Sequence, residues 1–181
     1  MRSSETIITD RVVLGSKRTA RDRERLEALG VTHILNVTPT RESDPAAGVP
    51  CFHQSDASLT YRRVPLFDSK AENLLQYLPQ CIAFINEARH YGSVLVHCLK
   101  GVSRSASIVI AYLMEQERLS LSEATKRVQG LRPQVRHVLS LYCSSSTRAR
   151  SRNRARALVL IRPPSLARPL SLGVLACFPH R

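Results

Sequence analysis

The sequence predicts an α/β fold in which helices cover a central sheet. Short apolar runs typical of strands alternate with longer segments of helical period. The chain has 181 residues, 43% of them hydrophobic, which is enough to bury a core. No apolar run approaches the roughly 20 residues of a membrane helix. The N-terminus, MRSSETIITDRV, lacks the apolar block of a signal peptide, so we expect a location in the cytoplasm or the nucleus.

The N-terminal part of the chain predicts a strand, a helix and a second strand. Ile7–Leu14 alternates loosely between apolar and polar residues and is followed by a glycine, which indicates a strand. Thr19–Gly30 indicates a helix, because its two later leucines share one face and its last residue is a common helix stop. Val31–Val37 is an apolar run bounded by turn residues, which is typical of a buried strand.

A loop and a helical region follow. Residues 38–58 are rich in Pro, Ser and Asp and predict a loop, with a short strand over Val49–His53. Thr60–Asp68 predicts another strand. The next segment is helical but contains a proline, which is tolerated in the first turn of a helix and costly inside it. We therefore expect a short helix near residues 72–78 and a longer one over Pro79–Tyr91.

The rest of the body predicts one more strand and two more helices. Val94–Cys98 is the strand, and Ser103–Gln116 is a long apolar helix. Ser120–Glu123 reads SLSE, which is a capping box and predicts the start of a helix that ends at Gly130.

The corner between that strand and the long helix, HCLKGVSRS over residues 97–105, has the composition of an anion site. Backbone amides of such a loop and the N-terminus of the helix attract negative charge, and Gly101 permits close approach. Arg104 offers a planar fork for two phosphate oxygens. The same positive surroundings lower the pKa of Cys98, which makes it an activated nucleophile that faces phosphorus.

Every residue between the nucleophile and the helix is therefore a candidate phosphate ligand. The predicted phosphate-binding residues are Leu99, Lys100, Gly101, Val102, Ser103 and Arg104. We expect Ser105 to donate its hydroxyl to the sulfur and His97 to hydrogen-bond the loop. The Cys-x5-Arg spacing alone is weak, since chance produces roughly 0.6 such matches in a chain of this composition. The alternative interpretation of Cys98 is a buried core thiol, and the surrounding strand, loop and helix pattern disfavours it.

The segment VHCLKGVSRSASIVIAYLM resembles the signature of the dual-specificity protein phosphatases, a branch of the cysteine-dependent protein tyrosine phosphatase superfamily. LGVTHILNV and VPLFDSKAENLLQYLPQCIAFI fit the same family, so the resemblance runs from about Ile7 to Arg136. It implies a single protein tyrosine phosphatase-like domain with a central mixed sheet flanked by helices. The resemblance also leads us to expect the atypical subgroup, whose members have a catalytic domain and no recognisable regulatory domain before it.

The resemblance also implies roles for individual residues. Cys98 attacks phosphorus, Arg104 binds the phosphoryl oxygens, and Ser105 assists release of the thiolate. Asp68 protonates the leaving oxygen and then activates water, a role that phosphate monoester chemistry also demands of one carboxyl group. An ordinary turn Asp or helix cap remains the alternative for Asp68, with Asp56 or Glu72 as the next candidate acids. Asn73 helps to hold the loop that carries Asp68, hereafter the acid loop, or is a solvated residue of a first helical turn.

The implied function is hydrolysis of phosphotyrosine and of phosphoserine or phosphothreonine through a phosphocysteine intermediate, with no cofactor and no metal. The implied partners are phosphorylated proteins, and mitogen-activated protein kinases are a common target of the family. We expect no membrane partner. Two alternatives stay open. Some relatives that hydrolyse phosphoinositides carry basic residues in this loop, and Lys100 is one basic residue at that place here. If the altered C-terminus impairs folding, the chain would instead be a catalytically weak module that binds phosphoproteins.

The net charge of +13 is unevenly divided and separates a body from a tail. Residues 144–181 contain eight Arg, no Lys and no acid, so we predict a catalytic domain over 1–143 and a basic, disordered tail over 144–181. The tail's RARSRNRAR cluster fits a nuclear localisation or nucleic-acid patch, although a solvated tail is the favoured interpretation. The family pattern also stops at about His137. The five cysteines lack CxxC spacing and are expected to be reduced thiols, without structural zinc.

Overall fold

Five strands form one mixed sheet in the order β1-β2-β5-β3-β4. The computed structural model describes residues 5–69 and 72–135, so the predicted tail and the departure at His137 lie outside the described residues. The strands are β1 (Thr6–Thr9), β2 (Val12–Gly15), β3 (Val31–Asn36), β4 (Thr60–Arg63) and β5 (Ser93–His97). β1 pairs with β2 antiparallel, and the other three pairings are parallel. The predicted mixed α/β sheet is therefore confirmed.

Five α-helices accompany the sheet in the described part of the chain. They are α1 (Lys17–Arg21), α2 (Arg23–Ala28), α3 (Leu78–Ala88), α4 (Arg104–Gln116) and α5 (Leu121–Leu131), with a 3₁₀ helix over Leu74–Tyr77 before α3. α5 begins at the predicted capping box, because the Ser120 side chain accepts from the Glu123 amide while the Glu123 side chain accepts from the Ser120 amide. Pro79 lies in the first turn of α3, as predicted. None of these helices is both long enough and apolar enough to span a lipid bilayer.

The central position of β5 explains why Val94–Val96 is an unbroken apolar run. Successive side chains of a strand point to opposite faces of the sheet, and both faces of β5 are covered. On one face Leu95 packs in a cluster with Val13 and Ile34 of neighbouring strands and with residues of α1 and α2. The strand also contacts α3 and α4. As a result all three residues are fully buried, which parallel central strands require.

Two of the predicted elements near the N-terminus are wrong in the same way, because each is broken in the middle. Ile7–Leu14 is a hairpin and not one strand: Thr6 pairs with Leu14, and the chain turns between Thr9 and Val12. The predicted helix Thr19–Gly30 is split at Asp22, whose carboxylate accepts a hydrogen bond from the Arg25 amide and caps α2. A side chain that bonds the backbone locally competes with helix continuation.

The region before the acid loop also differs from the prediction. Val49–His53 is not a strand, because the Val49 amide donates to the hydroxyl and carbonyl oxygens of the Thr38–Pro39 segment. β4 ends at Arg63 and not at Asp68. After the Val64 amide donates to the Asn36 carbonyl, the next amide that would face β3, that of Leu66, donates to the Val64 carbonyl at 2.9 Å and ends the ladder. Val64–Asp68 is thereby free to form a loop at the carboxyl edge of the sheet.

Candidate active site

The loop over residues 98–103, hereafter the catalytic loop, turns its carbonyl groups away from its own centre. The Leu99 carbonyl accepts from the Lys17 amide at 3.1 Å. The Lys100 and Gly101 carbonyls accept from the Arg132 guanidinium at 3.3 and 2.8 Å. In a trans peptide the C=O of one residue and the N–H of the next point in opposite directions. The amides of Lys100, Gly101 and Val102 therefore point inward, which is the arrangement that an anion cradle requires.

Cys98 lies at the floor of this cradle and is 2% exposed. Its Sγ accepts a hydrogen bond from the Gly101 amide at 3.2 Å and from the Ser105 hydroxyl at 3.2 Å. Burial alone raises the pKa of the Cys98 thiol. Hydrogen bonds from Ser105, the charge of Arg104 and the Gly101 amide outweigh burial, and the net pKa is lowered. The thiolate is the form that attacks phosphorus.

Arg104 is the first residue of α4, and its side chain is buried beside the cradle. Nη1 donates to the Leu66 carbonyl at 3.1 Å, and Nη2 lies 3.6 Å from the Asp68 carboxylate. Nε is buried and has no partner among the described residues. A guanidinium oriented in this way has a buried N–H donor left for a phosphoryl oxygen, and its planar fork suits bidentate contact.

The acid loop around Asp68 lies against the other end of the catalytic loop. The Asp68 side chain is half-exposed, and it accepts a hydrogen bond from the Ser103 hydroxyl at 3.4 Å. Glu72 holds this loop, because its carboxylate accepts from the Phe67 amide and its own amide donates to the Ser69 carbonyl, both at 3.2 Å. The Asn73 side chain, by contrast, does not cap the 3₁₀ helix that follows it, and its predicted supporting role stays a prediction.

The structure also bears on the two reserve candidates for the acid. Asp56 is paired with Arg23 at 2.8 Å. Hydrogen bonds from Ser58 are the main cause that lowers the pKa of Asp56 to about 2, so this carboxyl is ionised at neutral pH and has no proton to donate. Glu72 is engaged by the Phe67 amide. Asp68 is the carboxylate that the structure brings within 4 Å of Arg104.

His97 is fully buried next to the nucleophile. Its Nδ1 lies 3.4 Å from the Cys98 carbonyl oxygen. A carbonyl only accepts, so Nδ1 carries the proton and the ring fixes the peptide that follows Cys98. Burial is the main cause that lowers the pKa of His97 to about 4. The ring is therefore neutral at pH 7 and acts on the shape of the loop, not on its charge.

Arg132 is the functional residue that the sequence did not reveal. It lies beyond the last predicted helix, yet its side chain is buried and bonds two carbonyls of the catalytic loop. Gly101 shows how tight this packing is: its φ is +72°, and a Cβ there would lie 2.5 Å from the Gly15 carbonyl oxygen. In the sequence Arg132 is followed by Pro133 just after α5, and nothing local shows that this Arg returns to the loop.

The remaining cysteines of the described residues differ from Cys98. Cys51 and Cys81 are free thiols. Burial raises the pKa of Cys81 to about 12, so this thiol stays protonated and packs in the core. The pKa of Cys98 is shifted in the opposite direction, because hydrogen bonds from Ser105 and Gly101 and the charge of Arg104 outweigh burial.

Comparison with known proteins places this site in a family. The family model described as "Dual specificity phosphatase, catalytic domain" matches residues 12–143. Human dual specificity protein phosphatase 9 is 40% identical over 118 residues, 65% of this chain and 29% of that protein. Mouse dual specificity protein phosphatase 19 is 39% identical over 130 residues, 71% of this chain and 54% of that protein. The crystal structure of human DUSP28 has a TM-score of 0.67 and 32% identity, and the match covers 80% of this chain and 91% of that chain.

The chain therefore belongs to the dual specificity phosphatase catalytic domain family, within the protein tyrosine phosphatase fold. It spans less than a third of human dual specificity protein phosphatase 9 and about half of the mouse phosphatase 19.

Proposed function

We propose that this chain is a dual-specificity protein phosphatase, which hydrolyses phosphotyrosine and phosphoserine or phosphothreonine in proteins through a phosphocysteine intermediate. One observation carries the proposal: the Cys98 sulfur accepts from Gly101 and Ser105 inside a loop whose Arg104 lies 3.6 Å from Asp68. Nucleophile, anion cradle and candidate acid are thus assembled around one point.

The first step transfers the phosphoryl group to the protein. The Cys98 thiolate attacks phosphorus and forms an S–P bond, while the P–O bond to the substrate side chain breaks. Asp68 gives its proton to the departing oxygen, so the product is a neutral hydroxyl. Arg104 and the inward amides of the catalytic loop bind the three phosphoryl oxygens, where negative charge is concentrated in the transition state.

The second step regenerates the enzyme. Asp68, now a carboxylate, removes a proton from a water molecule as its oxygen attacks phosphorus. The S–P bond breaks, inorganic phosphate forms, and the sulfur leaves as a thiolate. The Ser105 hydroxyl, 3.2 Å from Sγ, donates a hydrogen bond to the negative charge that returns to the sulfur. The same contact therefore serves both steps.

The test is turnover of a panel of phosphotyrosine, phosphothreonine and phosphoserine peptides, including activation-loop peptides of mitogen-activated protein kinases, together with phosphoinositides. We expect peptide hydrolysis with transient labelling of Cys98 by phosphate. Cys98→Ser should abolish peptide hydrolysis, because a serine hydroxyl does not ionise at neutral pH. Arg104→Lys should also be inactive, because an ammonium group cannot reproduce the two parallel contacts of the planar guanidinium. Wild-type rates in Cys98→Ser, or hydrolysis of phosphoinositides alone, would refute the proposal.

A further inference from the structure

A cavity of about 170 Å³ opens beside the catalytic loop, at the end of the loop that follows Cys98. Leu99, the residue after the nucleophile, forms part of its wall, and the Lys17 amide bonds the Leu99 carbonyl at 3.1 Å. Asp68 contacts Ser103 and Arg104, at the other end of the loop. The cavity, hereafter the flanking pocket, therefore begins where the catalytic cradle ends and belongs to neither the nucleophile nor the acid.

Three basic side chains, Lys17, Arg21 and Arg41, line the flanking pocket. All three are exposed, and none has a carboxylate within 4.0 Å among residues 5–69 and 72–135. Arginines of the adjacent helix α2 differ, since Arg23 pairs with Asp56 and Arg25 pairs with Glu5. The positive charge of the pocket is thus left without an ion-pair partner, while neighbouring positive charge is paired.

Within residues 5–69 and 72–135 the acids nearest in sequence form no ion pair with these cations, and two of them accept hydrogen bonds from backbone amides. Asp22 accepts from the Arg25 amide at the start of α2. Asp44 accepts from the Ala47 amide at 2.9 Å. Glu42 is next to Arg41 and feels its charge, yet a backbone hydrogen bond and the Thr40 hydroxyl are the larger causes that lower its pKa. A cleft lined by one sign of charge concentrates its field and attracts the opposite charge.

Apolar residues also line the flanking pocket, and hydrogen bonds hold the segments that carry them. They include Pro45, Pro50, Phe52 and Leu99. The loop that carries three of these residues is closed by the Gly48 amide, which donates to the Asp44 carbonyl at 2.8 Å. On the opposite wall the His53 ring bonds the Arg21 carbonyl at 3.1 Å, which fixes α1 against that loop. The pocket is therefore held by hydrogen bonds on two sides, and its lining combines apolar side chains with three cations.

We propose that the flanking pocket is an accessory anion subsite, which binds a second anionic side chain of the peptide being dephosphorylated. An extended peptide advances about 3.4 Å per residue, so the three positions on either side of the phosphorylated residue reach about 10 Å along the surface. The shared chemistry is a carboxylate or a second phosphoryl group on a hydrocarbon stem. The stem suits Phe52 and the prolines, whereas an inositol ring carries hydroxyls all around. The proposal rests on the proposed protein phosphatase activity.

The experiment compares phosphotyrosine peptides that differ at one flanking position. Glu, phosphoserine or Gln is placed in turn at each of the three positions on either side, and kcat/KM is measured for the full chain. Exposed ion pairs contribute up to about 1 kcal/mol each, so we expect the best Glu or phosphoserine peptide to exceed its Gln counterpart by roughly 5- to 30-fold. The two anionic series separate a carboxylate from a phosphoryl ligand. The ratio should shrink in about 0.5 M salt.

The variants show whether the pocket causes the preference. In Arg21→Gln/Arg41→Gln the ratio of anionic to neutral peptide should fall to about one or two. Lys126→Gln is the control, since Lys126 is an exposed cation on α5 outside the pocket and should leave the ratio unchanged. All eight arginines of residues 144–181 remain in every variant, so they cannot produce a difference between variants.

Three outcomes would overturn the proposal without touching the proposed function. They are equal turnover of all flanked peptides by the wild type, an unchanged ratio in the double variant, and an equal drop in the Lys126→Gln control. A loss confined to phosphoinositide vesicles in the double variant would assign the pocket to a lipid and also overturn it. Absence of turnover on every phosphopeptide would instead refute the phosphatase proposal, so the two failures are distinguishable.

Discussion

The guanidinium of Arg104 lies 3.6 Å from the carboxylate of Asp68, although the two residues are carried by different segments of the chain. Ser103, the residue before Arg104, also donates its hydroxyl to Asp68 at 3.4 Å. The acid loop is thus docked on the catalytic loop. A phosphoryl group bound by Arg104 would place its leaving oxygen near Asp68, which is the geometry that general acid catalysis needs.

Asp68→Asn should therefore separate substrates by their leaving groups. We expect turnover of phenyl phosphate and phosphoserine to fall by roughly 100- to 10,000-fold, because these leaving oxygens need a proton. A substituted phenol that departs as an anion should suffer much less in the first step. Asp56→Asn is the matched control and should keep the wild-type pattern, since Asp56 is paired with Arg23. An equal loss for good and poor leaving groups in Asp68→Asn would remove it from the acid role.

Ser105→Ala tests how the thiolate is stabilised. Burial raises the pKa of Cys98, and the Ser105 hydroxyl that donates to Sγ is one of the groups that lower it. Without that hydroxyl, the pKa of Cys98 should rise. A hydrogen bond to a charged group contributes about 1.5–3 kcal/mol, or about one to two pH units. The acidic limb of the pH profile of kcat/KM should move to higher pH by that amount. Ser107→Ala is the control, because its hydroxyl bonds the Ser103 carbonyl. An unmoved limb in Ser105→Ala would contradict the assignment.

Arg132→Met tests whether this buried guanidinium positions the catalytic loop. The Lys100 and Gly101 carbonyls would lose their partner, and the inward amides would shift. A misplacement of about 1 Å can reduce a rate by roughly 100-fold, and inhibition by inorganic phosphate should weaken in parallel. Arg132→Lys should recover part of the rate and part of the phosphate inhibition, since an ammonium group reaches one of the two carbonyls. Arg127→Met, which removes a surface arginine of α5, should change neither. Wild-type phosphate inhibition in a folded Arg132→Met would show that the loop needs no such support.

His97 should make the fold sensitive to acid. Its pKa is about 4 in the folded protein and about 6.5 when unfolded, so the unfolded state binds more protons between these values. The contribution of His97 to the free energy of unfolding is about 3 kcal/mol. This contribution is complete above pH 6.5 and is lost as the pH falls toward 4. Urea unfolding at several pH values checks this. His97→Asn retains a donor near the Nδ1 position and should flatten the pH dependence, whereas His90→Asn, at an exposed site, should not. Equal slopes for all three proteins would refute it.

Much of the fold follows from local pattern. The apolar run of Val31–Val37 became β3 within one residue, because a run bounded by turn residues is buried wherever it packs. The Ser120 capping box and the place of Pro79 were also correct, since capping and proline sterics act over a single turn. The breaks at Asp10–Arg11 and Asp22 were missed because strand and helix periods continue through them, and only pairing and a local cap reveal the interruption.

The sequence by itself determined the chemical groups of the site: a cysteine, a hydroxyl, an arginine and a glycine within one strand-to-helix corner. Their spacing is local, so one loop brings them together. The tertiary structure alone decided that β5 lies in the middle of the sheet, that Asp68 docks on Ser103 and Arg104, and that Arg132 returns to the loop across 31 residues to bond Gly101. Such contacts depend on how helices and strands pack over the whole domain, and packing between distant segments leaves no period in the sequence.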